Sequence, residues 1–250
     1  MQISGFNNFL KVYSIHRSFL NSNLFAMENA SKRIRSSRER KNLLKVAEFR
    51  LIEYLCRIMP KWVNPDMLTT TGILGSLVIA IGLVLAIQNP FFLFLSVIGF
   101  AVQWFGDSLD GRLAYFRNIP RKWYGWALDI NADWISASII GIGFYFYFQD
   151  WKIVAFLFVL AYGGAMILSL IRYKIANKYV IDTHALGPTE LRIIISTFLI
   201  AEIFFPGALW AFALIGSLLL MLINVYDSFE IFKLGDKRDI AEKAEKSIVN

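Results

Sequence analysis

The sequence predicts an all-α integral membrane protein: six transmembrane helices, with an amphipathic helix lying on the interface ahead of them. Three observations predict it. The chain is 56% hydrophobic, with 22 Phe and 7 Trp in 250 residues and a mean hydropathy of +0.51, too apolar for an ordinary soluble domain. Six apolar segments are continuous and about twice the length of a barrel strand, which excludes a transmembrane β-barrel. Lys and Arg also alternate in density from one loop to the next, as the positive-inside rule expects of helical spans.

The elements follow in order. Residues 1–25 mix polar and aromatic side chains and contain no apolar core followed by a small-residue cleavage site, so no cleaved signal peptide is expected. Residues 28–45 carry Lys32, Arg33, Arg35, Arg38, Arg40, Lys41 and Lys45 against Glu28 and Glu39. Such a run ahead of a first span is a topology determinant facing anionic headgroups, and no nucleic-acid partner is expected. In Val46–Met59, apolar Leu51, Ile52, Leu55, Ile58 and Met59 alternate with Glu48, Arg50, Glu53 and Arg57 at helical spacing, which predicts the interfacial helix. Pro60 and Pro65 end it, and Trp62 suits the headgroup level.

The spans are read as Met67–Ile87, Phe91–Leu109, Ala127–Phe148, Ile153–Ile171, Leu191–Phe205 and Gly207–Phe229. A ~30 Å hydrocarbon core needs about 20 helical residues. The fifth segment is short and is divided from the sixth only by Pro206-Gly207. Of all Lys and Arg, only Lys152 falls in the loops after the first, third and fifth spans, so both termini are expected in the cytoplasm. Gly72, Gly75, Ser76, Gly141, Gly143, Gly163 and Gly164 are expected at helix–helix contacts. The chain thus divides into a cytoplasmic N-terminal region (1–63), a six-helix domain (64–232) and a polar cytoplasmic tail (233–250). A single cysteine, Cys56, excludes an internal disulfide framework.

Four carboxylates interrupt this apolar pattern. Asp107 and Asp110 are three residues apart, and Asp129 and Asp133 are four apart, so each pair would project from one face of a helix. Two facing helices would present all four to one cavity. Like charges at membrane depth are costly unless a divalent cation sits among them, and a metal pair is the simplest remedy. Oxygen ligands favour Mg²⁺, Mn²⁺ or Ca²⁺ over zinc, for which the chain offers only His16, His184 and Cys56. Gly111 would let a bulky ligand approach the backbone beside the ions. Two metals suit phosphoryl-group transfer, and a carboxylate not fully engaged by them can act as general base on an acceptor hydroxyl.

The motif Asp107-x2-Asp110-Gly111-x2-Ala114, followed by Gly125-x3-Asp129-x3-Asp133, resembles that of the CDP-alcohol phosphatidyltransferases. The resemblance implies a transfer from a CDP-linked donor to an alcohol hydroxyl with release of CMP. It implies that two Mg²⁺ or Mn²⁺ ions are bound by Asp107, Asp110, Asp129 and Asp133, with Asp133 also the base. It places the nucleotide against Gly111, Ala114, Gly125 and the Pro65-Asp66-x2-Thr69 turn at the start of the first span. Tyr115 stands where the family has Arg, and a phenol offers one donor in place of a guanidinium. Arg112, three residues earlier, or Arg117 is the expected source of the missing charge.

Acceptor binding is expected on the other cytoplasmic loops, at Arg172, Arg192 and His184, although positive-inside charge explains the same residues. The expected donor is CDP-diacylglycerol with a soluble alcohol as acceptor. The alternative is transfer of a headgroup from CDP-choline or CDP-ethanolamine to diacylglycerol. From a different class, a cation transporter would also place acids in spans, but the carboxylates fall at span ends rather than the midplane. A non-catalytic scaffold would follow only from Tyr115. The family's frequent homodimers are compatible with the chain's apolar faces.

Overall fold

The computed structural model describes residues 44–176 and 187–249, all helices and connecting turns. The basic run up to residue 43 and His184 lie outside the described residues. Among the described residues, seven α-helices follow one another: α1 (Lys45–Ile58), α2 (Pro65–Ala86), α3 (Leu93–Phe116), α4 (Lys122–Tyr147), α5 (Lys152–Ala176), α6 (Pro188–Phe204) and α7 (Ala208–Val249). A single 3₁₀ turn, Pro90–Phe92, leads into α3.

Asn64 starts α2: its side chain accepts the Met67 N–H at 2.9 Å, and Pro65 occupies the first turn, where no donor is needed. Helices α2 and α3 then come into backbone contact through glycine. A Cβ on Gly75 would stand 2.8 Å from the Gln103 Cα, and one on Gly106 would overlap the Gly72 backbone. Without a hydrophobic force between helices in lipid, close packing of small residues is what holds such a pair together. The Ser96 hydroxyl, buried in the same contact, donates to the Ile79 carbonyl at 2.9 Å. Gly143 meets α2 at Ala80, Gly163 meets Trp134 of α4, and Gly164 meets Asn224 of α7, whose amide donates to the Ala161 carbonyl at 2.8 Å.

Two apolar clusters result. One joins Ile79, Leu83, Leu93, Phe100, Ile140, Phe144, Val154, Leu199 and Leu209 across α2 to α7. The other sets Ile52 and Cys56 of α1 against Leu68, Leu109 and Leu113. Cys56 is 1% exposed there, and burial pushes its thiol up to about 12 against the opposing influence of Arg112 and Arg117. Because only the thiolate reacts, Cys56 is expected to resist maleimide at about pH 8 in the folded protein and to label quickly once unfolded. The measurement is a mass-shift time course with and without SDS.

Outside these clusters the surface is apolar: Leu74, Ile81, Ile98, Ile142, Phe156, Ile167 and Leu222 are all exposed. Among the described residues, four helices are long and apolar enough to cross a membrane: α2, α3 with its leading turn, α5 and α7. Helix α6 has only 17 residues, and α4 loses hydropathy to Asp129, Asn131 and Asp133. The helix that carries the second apolar segment runs beyond Leu109: α3 continues to Phe116 and so keeps the first Asp pair helical. The chain turns between α6 and α7 at Gly207, with φ +97°. Buried Glu202 braces that turn, accepting from the Tyr147 hydroxyl at 3.1 Å, Gly207 N at 2.9 Å and Leu209 N at 2.7 Å. Helix α7 runs unbroken for 42 residues, about 63 Å at 1.5 Å per residue, roughly twice the hydrocarbon thickness.

Candidate active site

Helix α3 carries Asp107 and Asp110 on one face, and α4 carries Asp129 and Asp133 on another. The α2–α3 and α2–α4 contacts bring these faces together beside the start of α2. Carboxylate oxygens of Asp107, Asp129 and Asp133 all lie within 4.8 Å of one another. Asp110, 9% exposed, lines the same cavity, which is closed on the α2 side by Thr69 and Gly72 and on the α4 side by Ala132 and Ser136. The Thr69 hydroxyl donates to Asp110 Oδ2 at 2.7 Å, and Asp110 Oδ1 accepts its neighbour's N–H at Gly111. Thr69 therefore orients a carboxylate.

Arg192 enters from α6. Its guanidinium donates to Asp107 Oδ2 at 2.6 Å, a charge-assisted contact spanning 85 residues of sequence. Three residues earlier on the same helix face, Thr189 accepts from the Trp104 indole at 3.3 Å and donates to buried Glu48 of α1 at 3.0 Å. Glu190 accepts from Gly187 N at 3.1 Å and Leu44 N at 3.0 Å. The start of α6 is thereby tied to both α1 and α3. No local pattern marks these contacts: Glu48 on α1 is 141 residues from Thr189, and Leu44, just before α1, is 146 residues from Glu190.

The other candidate residues are placed as follows. Asp66, at the first turn of α2, pairs with Arg121 of the α3–α4 loop. Arg117 donates to the carbonyls of Met59, Pro60 and Val63, so it latches the α1–α2 loop and does not take up a place among the carboxylates. Arg112 and Ala114 are half-buried, Arg112 with its charge felt at the Cys56 thiol. Tyr115 is half-buried. Gly111 and Gly125 are exposed, with nothing within 4 Å of an added Cβ. Arg172 does not line the carboxylate cavity. It sits 3.4 Å from Asp227 and borders a second cavity between α5 and α7 with Ser169 and Asn224.

Sequence reasoning passed over Gln103, one turn before Asp107 on α3. It lines the carboxylate cavity, is 5% exposed, and its Oε1 is buried with no hydrogen-bond partner among the described residues. The only available signal was a lone amide inside an apolar segment. Converging carboxylates beside an unsatisfied amide oxygen form a hard donor set that fits a divalent cation.

The sequence profile of one family, described as CDP-alcohol phosphatidyltransferase, matches residues 62–224 of this chain, a stretch that holds all four aspartates. The chain belongs to the CDP-alcohol phosphatidyltransferase family. It is thus a metal-dependent transferase of substituted phosphate groups in phospholipid biosynthesis, and an integral membrane protein. Among solved structures, it is similar to Mycobacterium tuberculosis phosphatidylinositol phosphate synthase (PgsA1) in complex with manganese and citrate. That match has 22% identity and a TM-score of 0.48 over 74% of this chain and 87% of that one. The same enzyme with CDP-DAG bound matches at 22% identity and a TM-score of 0.48, over 76% of this chain and 94% of that one. No curated protein matches the chain.

Proposed function

We propose that this transferase moves the phosphatidyl group of CDP-diacylglycerol to the hydroxyl of a soluble alcohol and releases CMP. The observation that carries the reading is the convergence of Asp107, Asp129 and Asp133, with Asp110 beside them, in one cavity between α2, α3 and α4. Two Mg²⁺ or Mn²⁺ ions are the proposed cofactors, held by Asp107, Asp110, Asp129 and Asp133. When bound, they supply the positive charge that a diphosphate and a leaving CMP require.

The chain's own residues do the rest. Asp133 accepts the proton of the acceptor hydroxyl as its oxygen bonds to the phosphatidyl phosphorus, and the bond from that phosphorus to the bridging oxygen breaks, leaving CMP. Thr69 keeps Asp110 oriented. Asp66, Ala114, Arg112, Gly111 and Gly125 form the proposed nucleotide side, where the two glycines leave the backbone open to a ligand. Gly111→Ala is therefore expected to leave thermal melting unchanged and to raise the KM for the donor by about tenfold, as displaced positioning contacts do. Melting curves beside donor titrations check it.

Arg192, in contact with Asp107, is the proposed anchor for the acceptor. Arg172 has its charge met by Asp227 and would contribute only after that pair opens; the proposed role of His184 falls outside the described residues. Six spans with both termini and the site in the cytoplasm are the proposed topology, with α4 and α6 as the two less apolar spans and α1 on the interface. The exposed apolar side chains of α2 and α3 support entry of a diacyl donor from the bilayer.

The test is CMP release by the purified protein in lipid nanodiscs. CDP-diacylglycerol is paired in turn with serine, glycerol phosphate and inositol compounds, and CDP-choline or CDP-ethanolamine with diacylglycerol. Release only with CDP-diacylglycerol and one soluble alcohol supports the reading. Release only with diacylglycerol as acceptor overturns it in favour of headgroup transfer.

A further inference from the structure

We propose that Gln103 belongs to the cation site, its Oε1 adding an uncharged oxygen to the carboxylates of α3 and α4. The inference rests on the cation site of the proposed function and adds a residue that the aspartate pattern does not contain.

Four observations converge. Gln103 lies four residues before Asp107, so the two are stacked on one face of α3. It borders the same cavity as Asp107, Asp110, Asp129 and Asp133. It is 5% exposed, and its Oε1 has no hydrogen-bond partner among the described residues. Its backbone is fixed where α2 and α3 touch, since a Cβ on Gly75 would strike the Gln103 Cα at 2.8 Å. Buried polar side chains in folded proteins are almost always paired, with protein, water or an ion, and for an amide oxygen on a residue that borders a carboxylate cavity a cation is a fitting partner. A structural glutamine would have its oxygen on a neighbouring donor; this oxygen has none, and its residue borders a carboxylate cavity.

Charge explains why an amide suits the position. Four carboxylates already match the charge of two divalent cations, and an amide in their cavity leaves that balance as it is. Hard cations nevertheless need six or more oxygen ligands. An amide oxygen adds a ligand without adding charge, and one anchored in the α2–α3 contact adds it with little conformational freedom to lose.

The experiment titrates Mn²⁺ into the full-length protein in detergent and reads free Mn²⁺ by electron paramagnetic resonance, independently of any transferase assay. Gln103→Leu, of similar size, is expected to weaken Mn²⁺ binding on the order of tenfold, the scale seen when groups supporting metal ligands are removed. In EDTA the same variant should melt no lower than wild type, because the amide oxygen it removes makes no protein hydrogen bond. Gln103→Glu, which retains the oxygen, is expected to bind Mn²⁺ at least as tightly as wild type, and it keeps the test decisive if the Leu variant does not fold.

Unchanged Mn²⁺ affinity in Gln103→Leu overturns the inference, as does weakening in Gln103→Glu equal to that of an Asp107→Asn variant. A wild-type chain that binds no Mn²⁺ overturns both this inference and the reading it rests on. A chain that binds Mn²⁺ with the expected shifts yet releases no CMP from any CDP-linked donor supports the inference and overturns the transferase substrates instead.

Discussion

Asp133→Asn is expected to lower CMP release by about 10²–10⁴-fold, the usual contribution of a positioned general base. Asn keeps the size of the side chain and one oxygen toward the cavity but cannot take a proton. Because Asp133 lies within 4.8 Å of the Asp107 and Asp129 oxygens, the variant should also need more Mn²⁺ for half-maximal activation. The two effects separate at saturating Mn²⁺, where the affinity defect disappears and the turnover defect remains. Single-turnover CMP release at saturating cation is the measurement. Activity within about threefold of wild type would place the base elsewhere, since so small a loss falls well short of a proton-transfer role.

The second large effect is structural. Gly106→Val is expected to lower the melting temperature sharply, because even a Cβ there would overlap the Gly72 backbone and the Leu68 carbonyl. Overpacking of this kind costs roughly 1–3 kcal/mol and more where backbone rather than a flexible side chain must yield. Gly106 immediately precedes Asp107, so the same displacement moves a carboxylate of the site, and activity should fall with stability. Circular dichroism melting in detergent checks the first effect. Gly111→Ala is the control for melting alone: five residues on, in the same helix, with open space around an added Cβ.

The sequence made the site legible because its chemistry is encoded locally. Offsets of three and four residues place Asp107 with Asp110 and Asp129 with Asp133 whatever the rest of the chain does, and the structure brings the two pairs together in one cavity. Pro65 at the start of the first span and Pro206-Gly207 as a break were legible for the same reason, being backbone chemistry at single positions. Apolar length was a weaker guide. The second apolar segment was read as Phe91–Leu109, and the helix that carries it runs on to Phe116. The last apolar segment was read as Gly207–Phe229, and α7 carries it and the polar residues after it as one helix to Val249. A helix stops where its backbone is capped or broken, not where the surrounding solvent changes.

Contacts made by folding alone were not legible. The Arg192–Asp107 pair and the Thr189–Glu48 bond join residues 85 and 141 positions apart, and no local pattern specifies either. Arg117 could be identified as a cation near the motif, but not as the residue whose donors are taken by Met59, Pro60 and Val63. Gln103 was invisible for another reason: an amide in an apolar segment becomes informative only when its oxygen is found without a partner.

The most direct test of a cation-dependent phosphatidyl transfer is CMP release from CDP-diacylglycerol by EDTA-stripped protein as Mn²⁺ or Mg²⁺ is returned in the presence of the acceptor panel. No release in EDTA, followed by recovery that saturates with added cation, is the predicted result. Release that persists in EDTA, or none at any cation concentration from folded protein that binds Mn²⁺, would contradict it.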